Sequence, residues 1–202
     1  MFLCFFGYSQ KNTIVWKADQ KLEWSFFAGV AQSGSHHHAL TASGVSIDMQ
    51  QSSDDSVSIT IEANFYPKKS WLKNRKGSDH LLNHEQRHFD IAEIYRRRLV
   101  KSIYTSDLLK SKNITKDLDD MYMANDKALR KYQNKYDDET KHSQRKGRQE
   151  EWNELIDNQL AELEEYNTHV IKLPVALFIT KSTSTTTSTK SRKKKRRKKK
   201  RE

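Results

Sequence analysis

The chain has 202 residues, which is long enough for one domain with a buried core and flanking extensions. Lysine and arginine outnumber aspartate and glutamate by 37 to 26, giving a net charge of +11. Residues 181–202 hold 12 of the basic residues and one glutamate, so residues 1–180 carry 25 charges of each sign. The single cysteine, Cys4, excludes an internal disulfide framework. No stretch approaches the ~20 apolar residues of a membrane-spanning helix.

The first nine residues are apolar and end in Gly7-Tyr8-Ser9, with small residues where a signal peptide is cleaved. This pattern predicts a signal peptide over residues 1–9, truncated in length, and therefore a secreted or periplasmic protein. A buried N-terminal strand is the alternative interpretation.

Residues 10–72 have the composition of β-structure. Short strands are expected at residues 13–16, 22–24 and 57–65, the last with strict alternation of apolar and polar residues. Between them, the segment from Gly29 to Gly44 is rich in serine, glycine and alanine, which is typical of a loop. This loop contains His36-His37-His38. We interpret the run as solvated or, alternatively, as facing a substrate or a metal ion.

Apolar residues at helical spacing predict three helices after this region. They are expected at residues 79–105, 116–141 and 143–166, with a closing strand at 170–174. Ser78 is suited to cap the first helix. On that helix, the arginines Arg96 to Arg98 are expected mostly on the solvated side.

His84, Glu85 and His88 spell H-E-x-x-H on the first predicted helix. Residues four apart lie on one face of a helix, so both imidazoles can bind one zinc ion, and Glu85 can act on a water molecule beside it. The alternative is a pair of buried histidines on an ordinary core helix.

A catalytic zinc site usually needs a third protein ligand. Residues 136–142 concentrate the candidates Asp137, Glu139 and His142. Helical periodicity favours Glu139. His142 stands at the end of the predicted helix, where a loop can turn it back toward the motif.

Several blocks of the sequence resemble a bacterial family of predicted secreted zinc-dependent proteases, a zincin-like domain of unknown function. The resemblance covers roughly residues 16–160, and its most specific blocks are Leu81 to Glu93, Tyr136 to His142, and the later Gln149 and Trp152. It implies His142 as the third ligand, with Glu139 or Asp137 as a supporting or alternative ligand. The family pattern has glycine after its last histidine, where this chain has Ser143.

The sequence therefore predicts an α+β fold in which an N-terminal antiparallel sheet packs on the H-E-x-x-H helix and two further helices. It predicts a zinc metalloendopeptidase that acts on peptide or protein substrates. Glu85 is expected to be the general base and Tyr136 a donor to the oxyanion. The strand at residues 57–65 is expected to bind an extended peptide along its edge.

The alternative function is a non-catalytic secreted binding module that holds a structural metal or none. It would adhere to an anionic polymer or surface through the basic residues 190–201. We expect the zincin-like domain to span residues 10–175. Residues 176–202, rich first in serine and threonine and then in lysine and arginine, are expected to form a disordered tail.

Overall fold

A computed structural model of the chain describes residues 13–75 and 77–178. The predicted signal segment, residues 1–9, and nearly all of the predicted tail lie outside the described residues, so the expectations about export and about residues 190–201 stay predictions. Within the part of the chain that the structure describes, no helix is long and apolar enough to cross a membrane.

The fold is α+β with antiparallel sheets, as the sequence predicts. A larger sheet contains β1 (Ile14–Val15), β3 (Ser43–Gln51), β4 (Ser56–Phe65) and β6 (Val170–Pro174), while β2 (Ala39–Leu40) and β5 (Trp71–Leu72) form a small second sheet. The helices are α1 (Asp79–Thr105), α2 (Ile114–Thr140) and α3 (Lys146–Glu162). The three predicted helices and the closing strand are thus confirmed, although α3 is shorter at both ends than expected.

The strand β4 lies at the centre of the larger sheet. It pairs with β3 over its length, while β1 pairs with its end and β6 with its beginning. Both of its edges are therefore occupied, and the expectation that residues 57–65 bind a peptide along a free edge is wrong. Among the described residues, β3 has only β4 as a neighbouring strand, so the outer edge of β3 is open.

Two features of the β-region differ from the sequence prediction. The long strand β3 is not among the predicted strands, although Val45, Ile47 and Met49 alternate with more polar residues. The strand expected at residues 22–24 is absent there. The backbone N–H of Leu22 instead donates to the side chain of Gln86 on α1 at 2.7 Å, and a short 3-10 helix follows over Trp24–Phe26.

Helix α1 packs against the sheet on one side and against α2 and α3 on the other. Its Ser78 cap is confirmed, since the Ser78 hydroxyl accepts the backbone N–H of Leu81 at 3.2 Å. Ile91 and Ile94 are completely buried in one core cluster with Ile59 of β4. Burying each such side chain stabilises the fold by about 1.5–3 kcal/mol.

Charged residues on α1 are buried as well, contrary to the expectation that Arg96 and Arg97 face solvent. Their exposed fractions are 0% and 2%. Both donate through Nε to the fully buried Glu93, at 2.7 and 2.8 Å. Arg96 also donates to the carbonyl of Thr168 at 2.6 Å, and Arg97 pairs with Glu164 at 2.5 Å. Paired in this way, the charges are tolerated in the interior, and they fix the segment after α3.

A left-handed turn separates α2 from α3. Lys141, His142 and Ser143 have φ values of 50°, 50° and 69°, a region that side chains disfavour. The carbonyl of Ser143 accepts a hydrogen bond from Nε2 of His80 at 2.7 Å, which ties the turn to the beginning of α1. The turn explains why glycine suits the position of Ser143, and it delays the start of α3 to Lys146.

We expect Ser143→Gly to stabilise the protein by about 0.5–1 kcal/mol. Glycine avoids a backbone cost of roughly 1–2 kcal/mol at this φ, but loses about 0.4–1 kcal/mol through its freedom in the unfolded chain. Denaturant unfolding measures the change. The adjacent Gln144, which has no positive φ, is the matched control, and Gln144→Gly should destabilise. A loss of stability in Ser143→Gly would contradict this explanation of the turn.

Candidate metal centre

Three side chains from α1 and α2 converge on one point. Nε2 of His84 and Nε2 of His88 each lie 3.1 Å from Oδ1 of Asp137. The ligand atoms of all three residues lie within 4.8 Å of one another. The two histidines are buried at 2% and 8% exposure, while the Asp137 side chain is 27% exposed. The H-E-x-x-H spacing on α1 therefore brings both imidazoles to one carboxylate of α2.

The spacing of these three groups is compatible with a bound metal ion. Zinc binds imidazole nitrogen and carboxylate oxygen at about 2.0–2.2 Å, so a tetrahedral arrangement places neighbouring ligand atoms roughly 3.3 Å apart. The observed 3.1 Å between Asp137 and each imidazole is close to that separation. The His84, His88 and Asp137 group can thus hold a metal ion.

His142, which the family resemblance implies as the third ligand, is not a member of the three-residue group. Its Nδ1 lies 3.2 Å from Oδ1 of Asp137, and its side chain is 42% exposed. Its ring packs edge to face on His37, with ring centroids 4.3 Å apart. The structure therefore brings the alternative ligand Asp137 to both motif histidines, and the more exposed His142 contacts the same oxygen of Asp137.

Glu139 lies away from the motif histidines. Its carboxylate accepts from Nε1 of Trp152 at 3.0 Å and pairs with Arg148. The expectation that Glu139 is a ligand, or accepts a ring N–H of a ligand histidine, disagrees with this placement. Helical periodicity favoured Glu139, but the face of α2 that turns to α1 is the one that carries Asp137.

Two glutamines instead lie against the outer ring nitrogens, Nδ1, of the motif histidines. Nδ1 of His84 lies 2.9 Å from Oε1 of Gln149, and Nδ1 of His88 contacts Oε1 of Gln133. Sequence reasoning did not identify Gln133. Its signal was its position one helical turn before Asp137, on the same face of α2. Gln149 entered only through the family resemblance.

Tyr136 lies behind the histidines. Its ring stacks on His84 with centroids 4.6 Å apart, and its hydroxyl donates to Oε1 of Gln149 at 2.8 Å. The residue is fully buried, and this burial raises the pKa of its phenol. Tyr136 is not among the residues that line the adjoining cleft. The expectation that Tyr136 donates to a substrate oxyanion stays a prediction.

The metal-binding group opens into a cleft of about 730 Å³. Residues 37–45 line one side and α2 lines the other, and Glu85 lies at the cleft beside the histidines. Glu85 is 3% exposed, and its Oε2 has no hydrogen-bond partner among the described residues. His37 and His38 line the same cleft. All three histidines of the run are exposed, as the solvated interpretation expects, and two of them also face the site.

The charges of the site are coupled through Asp137. Burial lowers the pKa of His88, but its hydrogen bond to Asp137 and the charges of Asp137 and Glu85 outweigh this effect and raise the pKa to about 9. Burial raises the pKa of Asp137, but hydrogen bonds and charge from both histidines outweigh it and hold the pKa well below its usual range. Without a metal ion, Asp137 is therefore ionised and His88 protonated at neutral pH.

Comparisons with known proteins identify a family but no activity. Residues 27–143 match DUF922, a family of bacterial proteins of unknown function. The matched region contains His84, His88, Asp137 and His142, but not Gln149. No curated protein and no solved structure matches the chain.

We expect Asp137→Ala to weaken zinc binding more than His142→Ala does. Losing a direct ligand should exceed the roughly 10–100-fold loss typical of an outer-shell partner. Competition with a chelator measures the dissociation constants. Asp138, adjacent and exposed, gives the control variant Asp138→Ala, which should bind zinc like the unmodified protein. If His142→Ala proves the weaker binder of the two, His142 is the third ligand.

The metal-free protein should lose stability as pH rises from 6.5 through about 9. The folded pKa of His88 lies above its unfolded value, so its contribution is complete below 6.5 and disappears as His88 deprotonates. Thermal midpoints measured with chelator at several pH values give the profile. Asp137→Asn removes the carboxylate and should flatten it. An equally steep fall in that variant would show that Asp137 does not hold the His88 proton.

Proposed function

The chain belongs to DUF922, a family of bacterial proteins of unknown function, and we propose that it is a zinc-dependent peptide hydrolase. The observation that carries the proposal is Glu85. A buried carboxylate oxygen without a hydrogen-bond partner is costly, and this one lies at the cleft beside three groups that can hold a metal ion. A substrate or a reacting water molecule would supply the missing partner.

The residues that would hold zinc are His84, His88 and Asp137. Two imidazoles and one carboxylate are the donor set of several catalytic zinc sites, which leave a position open for water. When bound, zinc lowers the pKa of a coordinated water molecule toward ~7 and polarises a carbonyl group. The ligands themselves come from two packed helices, so their positions are fixed before a substrate arrives.

Glu85 is the proposed general base. It follows His84 directly in the sequence, and its unpartnered Oε2 can accept a proton from water during attack on a peptide carbonyl. The same carboxylate can then donate that proton to the leaving amine. No other carboxylate oxygen among the described residues is both buried and without a partner.

The wall of the cleft supports polypeptides as the proposed substrate class. Residues 39–45, which include the beginning of β3, line the cleft. The outer edge of β3 is free of other strands among the described residues, so an extended polypeptide can pair with its exposed backbone groups. The carbonyl of Val45 already accepts the hydroxyl of Tyr122 at 3.1 Å, which limits this pairing to the stretch nearest the metal group.

Export belongs to the same proposal. It rests on the apolar residues 1–9 and their small residues at the cleavage positions. A hydrolase outside the cytoplasm would act on exported or extracellular polypeptides.

A structural metal site is the second candidate function, and the position of His142 beside Asp137 favours it. Structural zinc sites fill all four positions with protein ligands, and His142 lies close enough to Asp137 to complete such a set. Against this candidate, a closed structural site does not explain why the carboxylate of Glu85 is buried with one oxygen that has no hydrogen-bond partner among the described residues. The exposed position of His142 at the mouth of the cleft also suits contact with a substrate.

We expect Glu85→Gln to retain zinc and to lose peptide hydrolysis by about 10²–10⁴-fold, the usual contribution of a general base. Glutamine keeps the shape of the side chain but cannot accept the proton. Cleavage of a peptide library, with zinc content measured by mass spectrometry, tests both parts. The control is Glu154→Gln, an exposed position on α3. Equal cleavage by Glu85→Gln and the unmodified protein would show that Glu85 is not the base.

A further inference from the structure

The outer ring nitrogen of each motif histidine lies against the side-chain amide of a glutamine. Nδ1 of His84 is 2.9 Å from Oε1 of Gln149, and Nδ1 of His88 contacts Oε1 of Gln133. In many metal sites this partner is a carboxylate, a backbone carbonyl or water. The amide is different because it has a donor end and an acceptor end, so its orientation decides which imidazole tautomer it supports.

The orientation of Gln133 is fixed by a group that can only accept. Its Nε2 donates to the backbone carbonyl of His88 at 2.9 Å. A carbonyl oxygen has no proton to give, so the NH2 end of Gln133 must face it and the oxygen end must face the ring. The amide therefore hydrogen-bonds to both the ring and the backbone of His88. The neutral tautomer that allows both hydrogen bonds carries its proton on Nδ1 and leaves Nε2 free.

The orientation of Gln149 is fixed by a group that can only donate. Nε of Arg87 donates to Oδ1 of Asn153 at 3.0 Å, and a guanidinium has no acceptor. Oδ1 of Asn153 in turn accepts from Nε2 of Gln149 at 3.0 Å. This leaves Oε1 of Gln149 facing His84, whose Nδ1 must carry the proton. The donor Arg87 thus fixes the orientation of Asn153, which fixes the orientation of Gln149 and, through it, the position of the proton on the imidazole of His84.

We propose that Gln133 and Gln149 are positioning residues that lock the metal-bound His88 and His84 in the Nδ1–H tautomer, so that both Nε2 lone pairs are free to bind the metal ion beside Asp137. The inference rests on the proposed metal site and deepens it. Both Nε2 atoms lie 3.1 Å from the same oxygen of Asp137, so the lock acts on two ligands at once.

The choice of amides over carboxylates has a chemical consequence. A carboxylate partner raises the basicity of an imidazole ligand and adds negative charge near the metal. Neutral glutamines orient the rings without that charge, so Asp137 supplies the single negative charge among the three proposed ligands. This arrangement keeps more of the positive charge of a bound ion available to polarise a carbonyl or a water molecule.

Zinc binding by matched variants tests the lock. Methionine fills the volume of glutamine without hydrogen bonds, so Gln133→Met and Gln149→Met should each weaken zinc binding about 10–100-fold. Gln159→Met is the control. Gln159 lies on α3 and also makes two side-chain amide hydrogen bonds, to Tyr132 and Arg98, but contacts no histidine. Its substitution should leave zinc affinity within about twofold.

A conservative variant separates the acceptor from mere packing. Gln149→Glu retains an oxygen opposite Nδ1 of His84, so it should bind zinc at least tenfold more tightly than Gln149→Met. If Gln149→Glu is as weak as Gln149→Met, or if both methionine variants bind zinc like the unmodified protein, the lock is contradicted.

Nitrogen-15 NMR of the zinc-loaded, unmodified protein reads the tautomers directly and does not depend on a variant that folds. Long-range proton–nitrogen correlations should show the proton of His84 and His88 on Nδ1, with slow exchange against water. A proton on Nε2 of either residue would overturn the proposal. Zinc binding without any peptide cleavage would instead contradict the proposed hydrolase and leave the lock intact.

Discussion

A helix buried on nearly all sides must find a partner for every polar side chain it carries, and α1 is under this constraint. Sixteen of its 27 residues are buried, and eight of these are charged or polar. On the side away from the cleft, Glu93 satisfies two arginines, and Asp90 accepts from Trp16 at 2.8 Å. On the cleft side the polar atoms are satisfied except Oε2 of Glu85. The one buried polar atom of α1 without a hydrogen-bond partner among the described residues therefore lies where we propose that the reaction takes place.

These contacts also explain how the site can be rigid before it binds anything. Arg87 joins α1 to Asp157 of α3 and, through Asn153, to the amide behind His84. Arg97 reaches past the end of α3 to Glu164. Ion pairs of this kind add little to stability by themselves, but each one fixes the rotation of α1 about its axis. A fixed rotation is what directs two imidazoles at one carboxylate.

Much of the fold was predictable because α1, α2 and β4 show strong periodicity and α1 has a serine cap. The sequence could not show that Arg96 and Arg97 are buried, since their partners beyond α3, the Thr168 carbonyl and Glu164, lie far away along the chain. The third group of the site could not be predicted either, because the choice depends on which face of α2 turns to α1 and on where the left-handed turn after α2 directs His142. The spacing of Gln133 and Asp137, one helical turn apart, was a usable signal for the face that meets α1.

The central claim is that two imidazoles and the carboxylate of Asp137 hold a catalytic zinc ion. X-ray absorption at the zinc edge, measured on the protein loaded with one equivalent of zinc, tests it most directly. The account predicts two imidazole ligands, with oxygen from Asp137 and from water completing a first shell at about 2.0–2.2 Å. A shell of three imidazoles and one carboxylate without water would contradict it, because His142 would then close the site.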